Sequence, residues 1–285
     1  EKVRAALGEV RSRYGSRIAS VIHLAAYYDV SGEPHPLYEK ITVQGTRRLI
    51  DALQEFEVEQ FVYASTMLVH KATDAPDKTI DENSPIAPSW AYPESKVETE
   101  ALLRERHGDI PVVFLRIAGV YDDMGHQLFI AEQIARIYEH RMVAHLYPGM
   151  LCAGQSFIHL DDLSDAIARA VGRRHDLPDE LPLLLGEPEA LGYAEVQDII
   201  GHSLHGEDWE TYRIPQPLAK AGAWMQTEIL GEDSPIKPWM VDASNDHYIV
   251  DAGRARRLLD WEPAHRLRDT LPKMVEALKK DPQRW

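Results

Sequence analysis

Three short apolar segments alternate with long helical patterns, and this alternation constrains the fold more than any other feature of the chain. Residues 18–25, 61–66 and 111–117 are the apolar segments, each long enough for one buried strand. Between them, residues 37–56 carry apolar side chains at the three- and four-residue spacing of an amphipathic helix, and a second helix is expected at residues 91–107. Strands that alternate with helices of this length predict a parallel sheet. A ligand of such a sheet is expected at the carboxyl ends of the strands.

The composition argues against several classes of binding partner. The chain has 31 basic and 46 acidic residues, a net charge of −15 and no basic cluster, which argues against nucleic acid or an anionic membrane as a partner. No apolar run approaches the roughly 20 residues of a membrane span, and the chain does not open with a signal peptide. Cys152 is the one cysteine, which excludes an internal disulfide and favours a reducing, cytoplasmic setting.

The segment Tyr92-Pro93-Glu94-Ser95-Lys96 is the candidate catalytic motif. If Pro93 lies in the first turn of a helix, Tyr92 and Lys96 share one face, about 5–6 Å apart at Cβ. An ammonium beside a phenol favours the phenolate and lowers its pKa from about 10, so that it can exchange a proton near neutrality. The alternative is an exposed pair on a helix surface, because the spacing alone is weakly specific.

Other motifs surround this segment in a fixed order. One strand ends in His23-Leu24-Ala25-Ala26, the next in Ser65-Thr66, and Arg116 precedes Tyr121 by five residues. Together with residues 156–163 and 259–263, the chain resembles the extended short-chain dehydrogenase/reductase family, of the NAD-dependent epimerase/dehydratase type, from about residue 18 to about 280. The resemblance implies a Rossmann-like, doubly wound parallel sheet with a smaller, mostly C-terminal α/β lobe for the substrate.

The same resemblance implies a division of the chain. Residues 1–117 and about 155–187 would form the dinucleotide-binding domain, and about 118–154 and 188–285 the substrate-binding lobe. Further helical patterns at residues 129–140, 193–203 and 217–228 fall within that lobe. Family members often dimerise through the two helices that flank the strand at 61–66, which implies a homodimer.

The opening of the sequence departs from the family pattern. A dinucleotide-binding fold begins with a strand, a glycine-rich turn and a helix, but no Gly-x-x-Gly-x-x-Gly occurs anywhere in this sequence. The resemblance places residues 21–26 at the fourth strand and so implies that about 50 residues of the family pattern are absent. Either the sequence is truncated, which we favour, or a variant has lost its phosphate loop. The cofactor is therefore expected to be NAD or NADP, with no basis for choosing between them.

By resemblance, Tyr92 is the general acid/base, Lys96 lowers its pKa and holds the nicotinamide ribose, and Thr66 bonds the reacting oxygen. The chemistry requires such a set, because a hydride can leave a carbinol carbon only if its O–H proton leaves too. The remaining implied cofactor contacts are Leu24, Ala25, Ala26, Ser65, Ile117 and Ala118. The implied substrate contacts are Thr66, Met67, Gly119, Tyr121 and Gln155.

Departures of this sequence from the family pattern bear on the class of substrate. Relatives that use nucleotide sugars often have Asn at the position of Gly119 and Arg at that of Gln155, and a diphosphate needs charge-assisted donors. Dehydratases carry acidic residues after the catalytic hydroxyl, but Met67 and Leu68 follow Thr66 here, so sugar 4,6-dehydration is not expected. Hydride transfer on a sugar-like or other small carbonyl substrate is expected, by either an epimerase or a reductase.

One alternative hypothesis about function stays open. A non-catalytic dinucleotide-binding scaffold or sensor would share the fold, although the intact Tyr92 and Lys96 argue against it.

A metal site is not expected, because His202 and His205 are three residues apart without a His-Glu-x-x-His pattern.

Overall fold

The computed structural model describes residues 2–73, 75–222 and 238–282. The strands are β1 (Arg17–Ile18), β2 (Val21–His23), β3 (Glu57–Val58), β4 (Phe61–Thr66), β5 (Thr79–Ile80), β6 (Val112–Ile117), β7 (Gly119–Tyr121), β8 (Leu146–Tyr147), β9 (Phe157–His159), β10 (Glu180–Leu185), β11 (Tyr212–Arg213) and β12 (Ile249–Val250).

Six helices are labelled α1 (Lys2–Tyr14), α2 (Gln44–Leu53), α3 (Ala91–Arg106), α4 (Leu128–Tyr138), α5 (Leu160–Gly172) and α6 (Tyr193–His205). Three more follow near the C-terminus: Pro238–Asp242, Gly253–Leu259 and Leu267–Lys280. A π-helical segment, Tyr38–Val43, leads directly into α2. Residues 216–222 are also helical, and the rest of the helix predicted at 217–228 lies outside the described residues.

A four-stranded parallel sheet forms the centre, in the spatial order β10-β6-β4-β2. The other four strand pairs, β1-β3, β5-β12, β7-β9 and β8-β11, are parallel as well. The predicted α/β class with a parallel sheet is thus confirmed, and the predicted strand at residues 61–66 matches β4.

Helices cover the sheet on both faces, and its central strands β4 and β6 are apolar along most of their length. Phe61 and Tyr63 of β4 pack with α2 and α3 in one cluster of buried side chains. Val62, between them, points to the opposite face and joins Leu163 and Ala166 of α5 in another. Successive side chains of a strand point to opposite faces, so a strand buried on both sides needs an unbroken apolar run.

A third cluster of buried side chains lies beyond the sheet. It joins Ile130 and Ile134 of α4 to Ile200 of α6, and Leu271 and Met274 of the last helix pack against them. This cluster supports the chain segments that face the carboxyl ends of β4 and β6.

Strand β2 is the edge of the sheet in the described part of the chain. It is shorter than the strand predicted at residues 18–25, because Ser20 interrupts it and residues 24–26 leave the ladder. Ile22 is 46% exposed and Leu24 59% exposed, and α1 has no buried residue. Among the described helices, none combines the length and the apolar character needed to cross a bilayer.

Candidate active site

Helix α3 brings the phenol and the ammonium of the catalytic motif to one face. It begins at Ala91, directly after the extended Trp90, and Pro93 lies in its first turn, where a missing N–H is tolerated. Lys96 is buried, and its Nζ donates to the carbonyl oxygen of Ala64 at 2.6 Å. The same Nζ lies 5.7 Å from the centroid of the Tyr92 ring.

Strand β4 ends beside this helix turn. Its last residue, Thr66, pairs with Ile117 of β6, so both strands end at the same edge of the sheet. The Oγ1 of Thr66 accepts a hydrogen bond from the N–H of Leu68 at 3.3 Å. A cleft of about 580 Å³ opens at this edge, and Thr66, Tyr92 and Lys96 all line it. We call these three side chains the catalytic end of the cleft.

Burial sets the proton affinity of the two ionisable groups. Burial lowers the pKa of Lys96 to about 8, although the Glu100 carboxylate one turn further on opposes the change. Burial raises the pKa of Tyr92 above its ordinary value, and the phenols of Tyr28 and Tyr38 add to this effect. The predicted lowering of the Tyr92 pKa is therefore wrong for this structure: desolvation dominates, and Lys96 directs its ammonium to the Ala64 carbonyl. Tyr92 is a neutral phenol at neutral pH, the form that donates a proton.

A buried ion pair fixes α3 to the strands beneath it. Arg116 of β6 donates to Glu100 of α3 through two bonds, of 2.7 Å from Nη2 and 3.1 Å from Nε. The hydroxyl of Ser65 donates to the same carboxylate at 2.6 Å. Burial would raise the pKa of Glu100, but its bonds with Arg116 hold that pKa below its usual range. Because Glu100 follows Lys96 by one turn, this pair helps to position the Lys96 ammonium.

Most of the other implied site residues also lie at the cleft. They are Leu24, Ala26, Ser65, Met67, Ile117, Ala118, Gly119 and Gln155. Two do not. Ala25 is exposed and does not line the cleft. Tyr121, expected at the substrate, is buried at 2% exposure, and its hydroxyl donates to Glu187 at 2.7 Å, because β7 carries it into the third cluster.

The sequence interpretation missed a set of aromatic rings next to the motif. Trp90 stacks on Trp239 with ring centroids 5.0 Å apart, and the ring of Tyr28 meets that of Tyr92 edge-on at 4.9 Å. The indole N–H of Trp239 donates to the carbonyl oxygen of Val30 at 3.2 Å. The position of Trp90 near the site was predictable from the sequence, because this residue directly precedes α3. Trp239 is distant in sequence and carries no local pattern.

Four further aromatic side chains line the cleft. The rings of Tyr147 and Tyr193 stack with centroids 3.7 Å apart and an angle of 9°. The hydroxyl of Tyr147 donates to the carbonyl oxygen of Ser244 at 2.8 Å. Tyr248 and Phe157 line the same cleft. We call these four side chains the aromatic end of the cleft.

Gly119 and Phe157 show why the aromatic end is apolar. A Cβ added at Gly119 would lie 2.7 Å from the Phe157 ring and 3.5 Å from the amide nitrogen of Gln155. The ring therefore occupies the space that a side chain at position 119 would need. Position 119 offers no side-chain donor to a ligand.

Outside the cleft, His159, Asp161 and His265 bring ligand-type atoms close together. The two imidazole rings stack with centroids 4.0 Å apart and 21° between planes. Near-parallel stacking directs their in-plane lone pairs side by side instead of at one point. Their contacts are structural: His159 accepts from the N–H of Asp161, and His265 pairs with Asp162 at 3.0 Å.

Comparison with known proteins agrees with this geometry. A family model described as the NAD dependent epimerase/dehydratase family matches residues 5–181. The chain belongs to the NAD-dependent epimerase/dehydratase family, whose members are enzymes. The extended short-chain resemblance and the fold class predicted from the sequence are thus confirmed.

Individual relatives are distant. The chain is 25% identical over 271 residues to the uncharacterized UDP-glucose epimerase YtcB of Bacillus subtilis, an alignment that covers 90% of this chain and 73% of that protein. It is 27% identical over 154 residues to dTDP-D-glucose 4,6-dehydratase of Homo sapiens, covering 53% of this chain and 43% of the dehydratase.

Solved structures share the fold. UDP-glucuronic acid 4-epimerase from Bacillus cereus, in complex with UDP-glucuronic acid and NAD, superposes with a TM-score of 0.73 at 18% identity, covering 98% of this chain and 79% of that one. MoeE5 in complex with UDP-glucose and NAD gives a TM-score of 0.70 at 21% identity, covering 93% and 80%.

Proposed function

We propose that this chain catalyses NAD-dependent hydride transfer at a carbinol or carbonyl carbon, with Tyr92 as general acid/base. One observation carries the proposal: Thr66, Tyr92 and Lys96 line a single cleft at the carboxyl ends of two parallel strands. Ligands of open α/β sheets bind at that edge.

Each side chain of the catalytic end has a distinct task. The neutral Tyr92 phenol donates its proton to a carbonyl oxygen, and in the reverse direction the phenolate takes the proton of a carbinol. Thr66 already accepts a bond from Leu68, so its own O–H is available to donate to the same substrate oxygen.

The residues present fit a nicotinamide nucleotide beside Lys96. An ammonium has three N–H donors, and Lys96 uses one on Ala64, which leaves two for ribose hydroxyls. The small side chains of Ala64 and Ala118 allow a flat ring to approach the strand ends. The bound nicotinamide would supply or accept the hydride. We propose NAD as this cofactor, which the family description supports.

Net cofactor turnover separates the two forms of this function. An epimerase returns the hydride to the opposite face and leaves NAD unchanged, whereas a dehydrogenase or reductase changes the redox state of the cofactor with each product. Absorbance of reduced nicotinamide during turnover distinguishes them.

The test is the variant Tyr92→Phe, which keeps the ring and removes the acidic hydroxyl. General acid–base catalysis contributes about 10²–10⁴-fold, so kcat should fall by that factor while binding of reduced cofactor, followed by its fluorescence, stays the same. The control is Tyr138→Phe, a surface tyrosine outside the cleft that is 44% exposed. Equal turnover of Tyr92→Phe and wild type would refute the proposal. Cofactor binding with no turnover by the wild type would favour a non-catalytic scaffold or sensor.

Several larger-scale features are also proposed. We propose the division into a dinucleotide-binding domain (1–117 and about 155–187) and a substrate-binding lobe (about 118–154 and 188–285), with a small-molecule substrate between them.

We propose a homodimer formed by the two helical segments that flank β4, which light scattering would test as twice the mass of one chain. A cytoplasmic location is proposed from the lone, exposed Cys152.

A further inference from the structure

The cleft carries little charge beyond its catalytic end. Among the described residues that line it, Lys96 is the one cation and Asp246 the one carboxylate. The Lys96 ammonium is already bonded to Ala64. Asp246 lies at the aromatic end, and burial raises its pKa. An anion that entered this part would meet an acidic group instead of a basic one.

Two described arginines are linked to residues of the aromatic end, but neither lines the cleft. Arg136 influences Tyr193 electrostatically, but its Nε lies 3.6 Å from the Glu132 carboxylate on the same helix. Arg213 pairs in register with Tyr147, yet it is exposed and does not line the cleft.

The amide side chains that line the cleft are neutral. The Oε1 of Gln127 accepts from the N–H of Ile130 at 2.7 Å and caps α4, and the Oε1 of Gln133 accepts from Gln197 at 2.9 Å, so it is the uncharged N–H groups of these amides that face no such bond. A diphosphate binds through charge-assisted donors, which are shorter and roughly twice as strong as neutral ones. Apart from Lys96, the described lining offers neutral donors and aromatic rings, and no charged donor.

We propose that the substrate is a neutral, ring-bearing secondary alcohol or its ketone, and not a sugar attached to a nucleoside diphosphate. This inference rests on the function proposed above for the same cleft. The aromatic end would hold the apolar ring by stacked and edge-on contacts, and the catalytic end would hold the oxygen. In the oxidation the carbinol carbon gives up its hydrogen as a hydride, which oxidised NAD would accept, the O–H proton passes to the phenolate form of Tyr92, and the C=O bond forms.

Binding is the direct test. The chain is titrated with tetralone and, separately, with UDP-glucose, and the intrinsic tryptophan fluorescence, to which Trp90 and Trp239 of the cleft lining contribute, is followed. Tetralone should quench this fluorescence saturably and bind at least tenfold more tightly than UDP-glucose. Tighter binding of UDP-glucose, or no saturable effect of tetralone, would overturn the inference.

Variants at the stacked tyrosine locate the effect. Tyr147→Ala should weaken tetralone binding by about tenfold, which equals about 1.4 kcal/mol and is within the range of an aromatic contact. Tyr147→Phe keeps the ring, loses the bond to Ser244, and should bind nearly as the wild type does. The matched control is Tyr212→Ala, the exposed neighbour on β11. Unchanged tetralone affinity in Tyr147→Ala would overturn the inference.

Turnover separates this inference from the function on which it rests. Oxidation of UDP-glucose that requires Tyr92, without oxidation of tetralol, would overturn the substrate class and leave the proposed function standing. Tetralol oxidation that is unchanged in Tyr92→Phe would support the substrate class and refute the role of the phenol.

Discussion

At the catalytic end of the cleft, one helix turn and one strand end supply Thr66, Tyr92 and Lys96, and a buried ion pair holds them in place. At the aromatic end, Tyr147 and Tyr193 come from segments that meet only in the folded chain, and ring packing holds them. The first arrangement depends on a few directional bonds, and the second on shape. Substitutions should therefore have large, specific effects at the catalytic end and graded effects at the aromatic end.

The largest expected effect is on the buried pair of Glu100 and Arg116. Arg116→Met leaves the Glu100 carboxylate buried without its main partner, which should lower the free energy of unfolding by about 3–5 kcal/mol, measured by urea denaturation. The control Arg104→Met removes a partner of the same carboxylate that is 37% exposed, and should cost less than about 1 kcal/mol. If both variants lose the same free energy of unfolding, the bonds between Arg116 and Glu100 do not make the catalytic end more sensitive to substitution.

Lys96 comes next. Lys96→Met keeps the length of the side chain and removes a buried charge, so the chain should fold while kcat falls by about 10²-fold, as when one preorganised donor is lost. Steady-state kinetics with saturating cofactor is the measurement. Lys40→Met, at an exposed lysine of the π-helical segment, is the control. A fall in kcat of similar size in both variants would contradict the assignment of Lys96.

A smaller effect is expected at the aromatic end. Gly119→Ala places a Cβ 2.7 Å from the Phe157 ring, and such overpacking should cost about 1–3 kcal/mol of unfolding free energy. The second substitution Phe157→Leu, added to it, should restore part of this stability. Gly172→Ala, where nothing lies within 4 Å, is the control and should be neutral. Loss of stability in Gly172→Ala, or no recovery of stability with Phe157→Leu, would contradict the interpretation that Phe157 fills the space next to position 119.

The last prediction concerns pH dependence, where the effect is spread over more than two pH units. The pKa of Lys96 is about 8 in the folded chain against 10.5 for the free side chain. Between these values the unfolded chain binds more protons, so stability should rise with pH, by at most about 1.4 kcal/mol per pH unit from this group. The slope should be lower in Lys96→Met over the same pH range, as followed by urea midpoints. Identical slopes would show that Lys96 keeps its ordinary pKa.

The catalytic end was accessible from the sequence because its determinants are local. A four-residue spacing with Pro93 at the helix start fixes Tyr92 and Lys96, and an apolar run that ends in Ser65-Thr66 fixes the strand end. The roles of these residues remain proposals, but their meeting at one cleft follows from short patterns.

The aromatic end was not accessible, because its contacts join distant segments. Nothing near Tyr147 in the sequence indicates that it stacks on Tyr193, and nothing near Trp90 indicates Trp239. The prediction that Tyr121 contacts the substrate is wrong for a related reason. The phenol is bonded in the core to Glu187, which lies 66 residues away in the sequence. Desolvation, which raises the pKa of Tyr92, likewise depends on the packed chain.

The edge strand β2 has a practical consequence for handling this sequence. Its side chain Ile22, with Leu24 just beyond the strand, is exposed and apolar in the described part of the chain. An edge of this kind accepts a further strand, either from the same chain or from a second molecule. Light scattering over a range of concentrations distinguishes the two cases.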